Sequence, residues 1–237
     1  MLIAIEGVDG CGKTTQVALL KEAFANLGRE VYSVSFPRYA DPMFGDLIRS
    51  FLRGDLGPVE SVHPRLVALL FAGDRAAEAP SLRQALCEDK VVVCDRYFYS
   101  NLAYQSAKFR DDSEIAKFSR WLRKLEFGHY ALPAPGCSIY LDVHQEDRLE
   151  RLDARAAVNG GDQGAISNDI HERDVGLQAR VEETFRSYAE THDDLVRIDC
   201  QQYGQRLDPG DVHARIMRVL NARGLVDHQP IEITSGI

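Results

Sequence analysis

The sequence has few cysteines, no excess of basic residues and no long apolar run. Its five cysteines are scattered and lack C-x-x-C spacing, which argues against disulfides or a zinc site and favours reduced thiols. The formal net charge of -8, from 28 basic and 36 acidic residues, excludes wholesale electrostatic binding to nucleic acid or an anionic membrane. No apolar stretch could span a bilayer, and the run over residues 1–5 is too short for a signal peptide. We therefore expect a soluble cytoplasmic protein.

The 237 residues, of which 45% are apolar, are enough for one large α/β domain. Short apolar or β-branched runs predict buried strands, and segments with apolar residues at helical spacing follow them. Such alternation is typical of a five-stranded parallel sheet, doubly wound, with ligands at the carboxyl ends of the strands. The predicted strands are residues 2–5, 31–36, 91–94, 139–143 and, more weakly, 195–198.

We predict a single domain over residues 1–224. Residues 156–170 are rich in Gly, Asn and Asp and have no core pattern, which is typical of a mobile loop. Residues 225–237 are predicted to be a poorly ordered C-terminal tail.

A phosphate-binding motif follows the first predicted strand and opens a helix. Gly7, Gly12, Lys13 and Thr14 fit G-x-x-x-x-G-K-[ST], the P-loop pattern, for which the alternative is a plain glycine turn. Backbone N–H groups of such a loop converge on phosphate oxygens, the lysine neutralises the β and γ phosphates, and the threonine can ligate Mg²⁺. The predicted nucleotide-binding residues are Gly7, Val8, Asp9, Gly10, Cys11, Gly12, Lys13, Thr14 and Thr15.

A second motif, "VVVCDRYFYSN", places Asp95 and Arg96 directly after a predicted strand. Parallel strands bring their carboxyl ends to one edge, so we expect Asp95 near the Mg²⁺ of the P-loop. Arg96 could hold a phosphate with two hydrogen bonds. An Asp-Arg pair after a strand is otherwise a capping or ion-pair device.

The segments "EGVDGCGKTT", "FPRY", "LFAGDRAAE", "DRYFYSNLAYQ" and "HERD", in this order and at these separations, resemble the thymidylate kinase family, especially its actinobacterial members. The resemblance covers roughly residues 1–200 and is more specific than a P-loop alone. It implies a P-loop NTPase fold, transfer of the γ-phosphoryl group of Mg-ATP to dTMP giving dTDP, and a homodimer. The alternatives are a kinase for another nucleotide or deoxynucleoside acceptor, or a non-enzymatic nucleotide-binding switch. No guanine-specifying N-K-x-D sequence is recognisable, which counts against the switch.

The resemblance assigns four residues to the base and sugar of the acceptor. Phe71 is similar to the family's aromatic that stacks on thymine, and Arg75 to the arginine that hydrogen-bonds the base. Asn101 resembles the residue that recognises the thymine edge, and Tyr104 the one that excludes a 2′-hydroxyl. Without the resemblance, core packing and helix-surface positions would be the favoured explanation of these residues.

The resemblance also assigns the phosphate end of the acceptor site. Phe36, Arg38 and Tyr39 of "FPRY" are implied to line the phosphate pocket together with Arg96. Asp9 is a carboxylate inside a phosphate-binding loop, and the family implies that it serves the acceptor, reaching its 3′-hydroxyl, a metal ion or Arg96. Asp9 and Arg96 are therefore also catalytic candidates, with Lys13.

A lid is expected over about residues 148–173. Arg148, Arg151 and Arg155 share one predicted helical face, and Arg151 and Arg155 are the candidates for stabilising transition-state charge; the alternative is a solvated helix face. Asp169 and Glu172 match acidic lid residues that the family uses near the acceptor ribose and a metal.

Overall fold

The computed structural model describes residues 1–58, 61–148 and 175–226. The five strands of its main sheet are β1 (Leu2–Glu6), β2 (Val31–Ser35), β3 (Val91–Asp95), β4 (Cys137–Asp142) and β5 (Leu195–Asp199). Two short strands, β6 (Gln201–Gln202) and β7 (Gln205–Arg206), form an antiparallel ribbon. The helices of the described chain include α1 (Lys13–Asn26), α2 (Gly45–Leu52), α3 (Pro64–Cys87), α4 (Phe98–Ser106), α5 (Asp112–Arg123), α6 (Val175–Thr191) and α7 (Pro209–Ala222). A π-helical turn, Lys124–His129, continues α5.

The main sheet is parallel throughout, in the order β2-β3-β1-β4-β5. The three central strands β3, β1 and β4 are buried along their whole length, because helices flank the sheet. The edge strands β2 and β5 are partly exposed. The predicted α/β class and five-stranded parallel sheet are confirmed.

The register of the central strands determines where the site forms. Ile5 of β1 pairs with Asp95 of β3, and Glu6 pairs with Tyr140 of β4. The Arg96 amide, one residue beyond β3, donates to the Ile5 carbonyl at 2.8 Å. The loop after β1 and the Asp95-Arg96 segment therefore start side by side at the carboxyl edge of the sheet.

Some boundary details differ from the sequence pattern. Leu27 stands at helical spacing after Val17, Leu20 and Phe24 in the sequence, but it is 52% exposed, because α1 ends at Asn26 and the chain turns at Gly28 with φ 73°. Leu225 and Val226, assigned to the tail, pack against the main core. The rest of the predicted tail and the loop at 156–170 lie outside the described residues. Among the described residues, no helix combines the length and the apolarity that crossing a membrane requires.

Candidate active site

The P-loop occupies the turn from β1 into α1. Gly7 has φ 139°, and a Cβ there would lie 3.1 Å from the Leu141 carbonyl oxygen, so glycine is required. Gly12 precedes α1 with φ 99°, and no side chain of the described residues caps that helix. The first-turn N–H groups of α1 are therefore available to an anion. Lys13 is buried, and its Nζ donates to the Val8 carbonyl at 2.9 Å, which places the ammonium over the loop.

Cys11 of this loop is buried and contributes to the core. Burial raises the pKa of its thiol above the ordinary value, although the positive charge of Lys13 opposes the shift. The helix N-terminus therefore does not make Cys11 a reactive thiolate at neutral pH, and the side chain fills space beside Gly7.

Thr14 and Asp95 are in contact at the start of α1. The Thr14 hydroxyl donates to Asp95 Oδ2 at 3.0 Å. Asp95 is buried at the end of β3, directly beside the P-loop. A hydroxyl and a carboxylate in contact are the donor set that Mg²⁺ prefers.

Asp9 of the P-loop pairs with Arg96. Arg96 Nη2 donates to Asp9 Oδ1 at 2.5 Å, and Nη1 donates to the Gly7 carbonyl at 2.8 Å. The Tyr104 hydroxyl donates to Asp9 Oδ2 at 3.0 Å, and the Arg96 guanidinium lies 5.5 Å from the centre of the Tyr104 ring. Of the three roles the family implies for Asp9, the contact with Arg96 is the one present here.

The opposite charges of Asp9 and Arg96 stabilise each other's ionised form. Burial alone would raise the pKa of Asp9, but Arg96 and Lys13 outweigh it and hold that pKa well below the ordinary range. Burial would likewise lower the pKa of Arg96, but Asp9 raises it well above the ordinary value. Arg96 also has φ 66°, a left-handed conformation that costs a non-glycine residue energy and is typical of functional positions. Both groups are charged at any physiological pH.

An open cleft lies next to Asp9 and Arg96 and contains about 610 Å³ of empty space, including the solvent at its mouth. Aromatic and polar side chains of α3 and α4 line it, together with residues of the P-loop and of the turn after β2. The lining residues are Asp9, Phe36, Pro37, Tyr39, Leu52, Phe71, Arg75, Arg96, Ser100, Asn101, Tyr104 and Gln105. Apart from Arg38 and Glu172, all the residues predicted to bind the acceptor are among them.

A buried ion pair lies at the inner end of the cleft. Arg75 donates from Nε and Nη2 to the two carboxylate oxygens of Glu126, at 2.8 and 2.6 Å. Asn101 Nδ2 donates to Glu126 Oε1 at 3.0 Å and to the Ala68 carbonyl at 3.1 Å. Burial would lower the pKa of Arg75, but Glu126 raises it. These hydrogen bonds fix an arginine and an amide among the residues that line the cleft.

Comparison with known proteins places this chain in a family. A family model described as thymidylate kinase matches residues 5–206. The chain belongs to the thymidylate kinase family. It is 38% identical over 224 residues to the thymidylate kinase of Mycobacterium tuberculosis, covering 91% of this chain and 97% of that protein. It is 34% identical over 204 residues to a probable thymidylate kinase of Pyrococcus horikoshii, covering 83% and 94%. The thymidylate kinase structure from Candida albicans superposes with a TM-score of 0.68 at 21% identity, covering 94% and 92%, a likeness of fold.

Two arginines predicted for this thymidylate kinase site have other partners. The Arg38 guanidinium donates to Asp41, Asp74 and Glu78 at 2.6–3.1 Å. Arg148 is buried and pairs with Glu182 at 3.2 Å. In the described conformation Arg148 thus belongs to the core and not to a solvated lid face. The other lid residues, namely Arg151, Arg155, Asp169 and Glu172, lie outside the described residues.

Sequence reasoning missed two buried glutamates, Glu126 and Glu6, that hold residues of the thymidylate kinase cleft in place. Glu126 stands in an ordinary helical pattern, "WLRKLEFGHY", and nothing local marks it as buried. Glu6 is also fully buried, accepting from the amides of Tyr99 and Ser100 and from the Ser100 hydroxyl at 2.5–3.0 Å. It thereby fixes the start of α4, the helix that carries Asn101. A carboxylate at the end of an apolar strand was the signal available for Glu6.

Proposed function

We propose that the cleft next to the P-loop binds dTMP and that the P-loop binds ATP, whose γ-phosphoryl group is transferred to dTMP to give dTDP. This reaction is that of the thymidylate kinase family, to which the chain belongs. The observation that carries the assignment of the cleft is the Asp9–Arg96 pair. Asp9 belongs to the P-loop and Arg96 lines the cleft, so a donor and an acceptor phosphate would meet there.

The proposed mechanism is mainly one of positioning. A nucleotide phosphate is already ionised at neutral pH, so its oxygen can attack the γ phosphorus without a strong general base. Phe71 and Tyr104 would hold base and sugar, which directs the phosphate towards Arg96. Lys13 and Arg96 would then stabilise the charge that develops on the transferred group. We propose that Arg151 and Arg155 add further positive charge from the lid.

Mg²⁺ is the proposed metal. The Thr14 hydroxyl and the Asp95 carboxylate, which are in contact, are a fitting pair of oxygen ligands, and Asp9 is a further candidate. Bound Mg²⁺ would neutralise charge on the phosphates of ATP. The protein would hold these two oxygen ligands at the start of α1, beside the P-loop amides that would bind the same phosphates.

We also propose a homodimer in the cytoplasm. The family resemblance suggests the dimer, and large apolar side chains near the surface of α2 and α3 are in keeping with it: Met43, Leu47 and Leu66 are 73%, 46% and 61% exposed. The five cysteines are free thiols, which suits a reducing compartment. Sedimentation velocity would test the dimer, because a monomer at micromolar concentration would contradict it.

An ATP-consumption assay with dTMP, dUMP, dCMP and thymidine as separate acceptors tests the proposed function. We expect the highest kcat/KM with dTMP and negligible turnover with thymidine, because thymidine lacks the phosphate that Arg96 would bind. An enzyme that phosphorylates thymidine better than dTMP, or that hydrolyses ATP equally with any acceptor, would contradict the proposal.

A further inference from the structure

Glu126 is a fully buried carboxylate that touches the cleft only through other side chains. It belongs to the π-helical turn after α5 and is 0% exposed. Such turns occur frequently at functional sites. Its two oxygens accept three hydrogen bonds, two from Arg75 and one from Asn101. Glu126 is therefore an orienting group for two residues that line the cleft.

The contacts of Asn101 allow only one orientation of its amide. Nδ2 donates to the Ala68 carbonyl and to Glu126 Oε1, which are both acceptors. If the amide were rotated by half a turn, its oxygen would face two other oxygen atoms, and neither contact would contain a proton. Glu126 and Ala68 together thus hold the Asn101 amide so that its Oδ1 points away from both of them.

Oδ1 of Asn101 is an unsatisfied acceptor. It is buried and, among the described residues, has no hydrogen-bond partner, while Asn101 itself lines the cleft. A buried acceptor without a donor is costly, so a ligand with an N–H at this point would be favoured. Arg75, held by Nε and Nη2, can offer only donors beside it.

This pattern selects among pyrimidines. Thymine and uracil carry an N3–H donor next to a carbonyl oxygen, which matches an amide oxygen beside a guanidinium. Cytosine carries an unprotonated N3 next to an amino group. Its N3 would place an acceptor against the Asn101 oxygen, and its amino group would place a donor against the Arg75 guanidinium. The selection depends on Asn101 being unable to rotate. A rotated amide would present its NH₂ group, which could donate to the unprotonated N3 of cytosine.

We propose that Glu126 is a positioning residue that fixes the hydrogen-bonding direction of Asn101 and Arg75, and thereby sets the preference for imide pyrimidines over cytosine. The inference rests on the proposed function, because it assumes that the cleft holds the acceptor base. Glu126 does not contact the base. Its effect on selectivity is exerted through Asn101 and Arg75.

The test compares kcat/KM for dTMP and dCMP in the parent, Glu126→Gln and Glu126→Asp. Removing the charge beside buried Arg75 will destabilise the fold, but the ratio of the two kcat/KM values does not depend on the fraction of folded enzyme. We expect the dTMP/dCMP ratio to fall about tenfold or more in Glu126→Gln, the usual scale for one mispaired buried hydrogen bond. Glu126→Asp keeps the charge but withdraws the carboxylate, and should lower the ratio about threefold or more.

Glu182→Gln is the matched control, since Glu182 is another buried glutamate paired with an arginine and should leave the ratio within about twofold. Equal losses of kcat/KM for both acceptors in both Glu126 variants, with an unchanged ratio, would mean that Glu126 is only structural and would overturn the proposal.

A third experiment needs no variant: the parent should reject N3-methyl-dTMP, and equal use of it and dTMP would also overturn the proposal. Failure of the proposed function is distinguishable, because the parent would then not phosphorylate dTMP at all.

Discussion

Replacing Asp9 by Asn should destabilise the protein in a pH-dependent way. The substitution removes the negative charge that Arg96 contacts at 2.5 Å and that Tyr104 contacts at 3.0 Å. Hydrogen bonds to charged groups contribute about 1.5–3 kcal/mol each. The Asp9 and Arg96 side chains are 26% and 15% exposed, so water screens part of their attraction. The Gly7 carbonyl also remains a partner of Arg96 in the variant. We therefore expect a loss of about 1–2 kcal/mol at neutral pH.

The sign of the pH dependence follows from the depressed pKa of Asp9, which Arg96 and Lys13 cause in spite of burial. A carboxylate with a lowered folded-state pKa stabilises the protein above its unfolded pKa, here near 3.8. That stabilisation is lost as the pH falls further, towards the folded-state pKa. The difference between parent and variant should thus be constant from about pH 7 to pH 5 and should shrink below about pH 4.

Urea unfolding of both proteins across this pH range measures the effect. Asp55→Asn is the matched control, because Asp55 pairs with Arg53 on the surface, where both side chains are about half exposed; its cost should stay below about 0.5 kcal/mol. An Asp9→Asn variant as stable as the parent at neutral pH would refute the reasoning, and so would a difference that persists unchanged at the lowest pH at which both proteins fold.

Four further changes probe the nucleotide sites. Lys13→Ala should abolish turnover and leave the dTMP affinity within about threefold by calorimetry, since this lysine serves the donor phosphates; full activity would contradict the P-loop assignment. Thr14→Ala should raise the Mg²⁺ concentration needed for half-maximal rate, and an unchanged Mg²⁺ titration would exclude the threonine as a ligand. Tyr104→Ala should narrow the preference for dTMP over its ribose counterpart, measured as a ratio of kcat/KM values; the same ratio in parent and variant would mean that Tyr104 is not the gate. Arg155→Ala should lower kcat about 10²-fold or more with little change in KM for dTMP, whereas kcat within about threefold in Arg151→Ala, Arg155→Ala and the double variant would mean that the lid arginines are solvated charges.

The sheet and the P-loop could be predicted because their signals are local. The strands are short buried runs, and Gly7, Gly12 and Lys13 follow the first of them at fixed spacing. The placement of Asp95 beside Thr14 also followed from general rules, since parallel strands align their carboxyl ends. Boundaries were less predictable: Leu27 continues the apolar spacing, but the helix ends one residue before it.

The inner end of the cleft could not be predicted, because it depends on contacts between distant parts of the chain. Glu126 lies 51 residues from Arg75 and 25 from Asn101, and its sequence neighbourhood is that of an exposed helix. Arg38 is a different case: the family resemblance implies a place in the phosphate pocket, and here three carboxylates surround its guanidinium. Whether a charged side chain forms an internal ion pair or stays available for a ligand depends on which residues the tertiary structure places beside it. Sequence periodicity does not carry this information.

The pairing of β1 with β3 has a consequence for how the two nucleotides communicate. Both binding elements are continuations of these adjacent strands, joined at their ends by the Arg96 amide and the Ile5 carbonyl. Local opening of this strand pair would release the P-loop and Arg96 together. A nucleotide bound on one side would therefore restrain the backbone of the other side, so the sheet would couple the two ligands in addition to the contact between their phosphates.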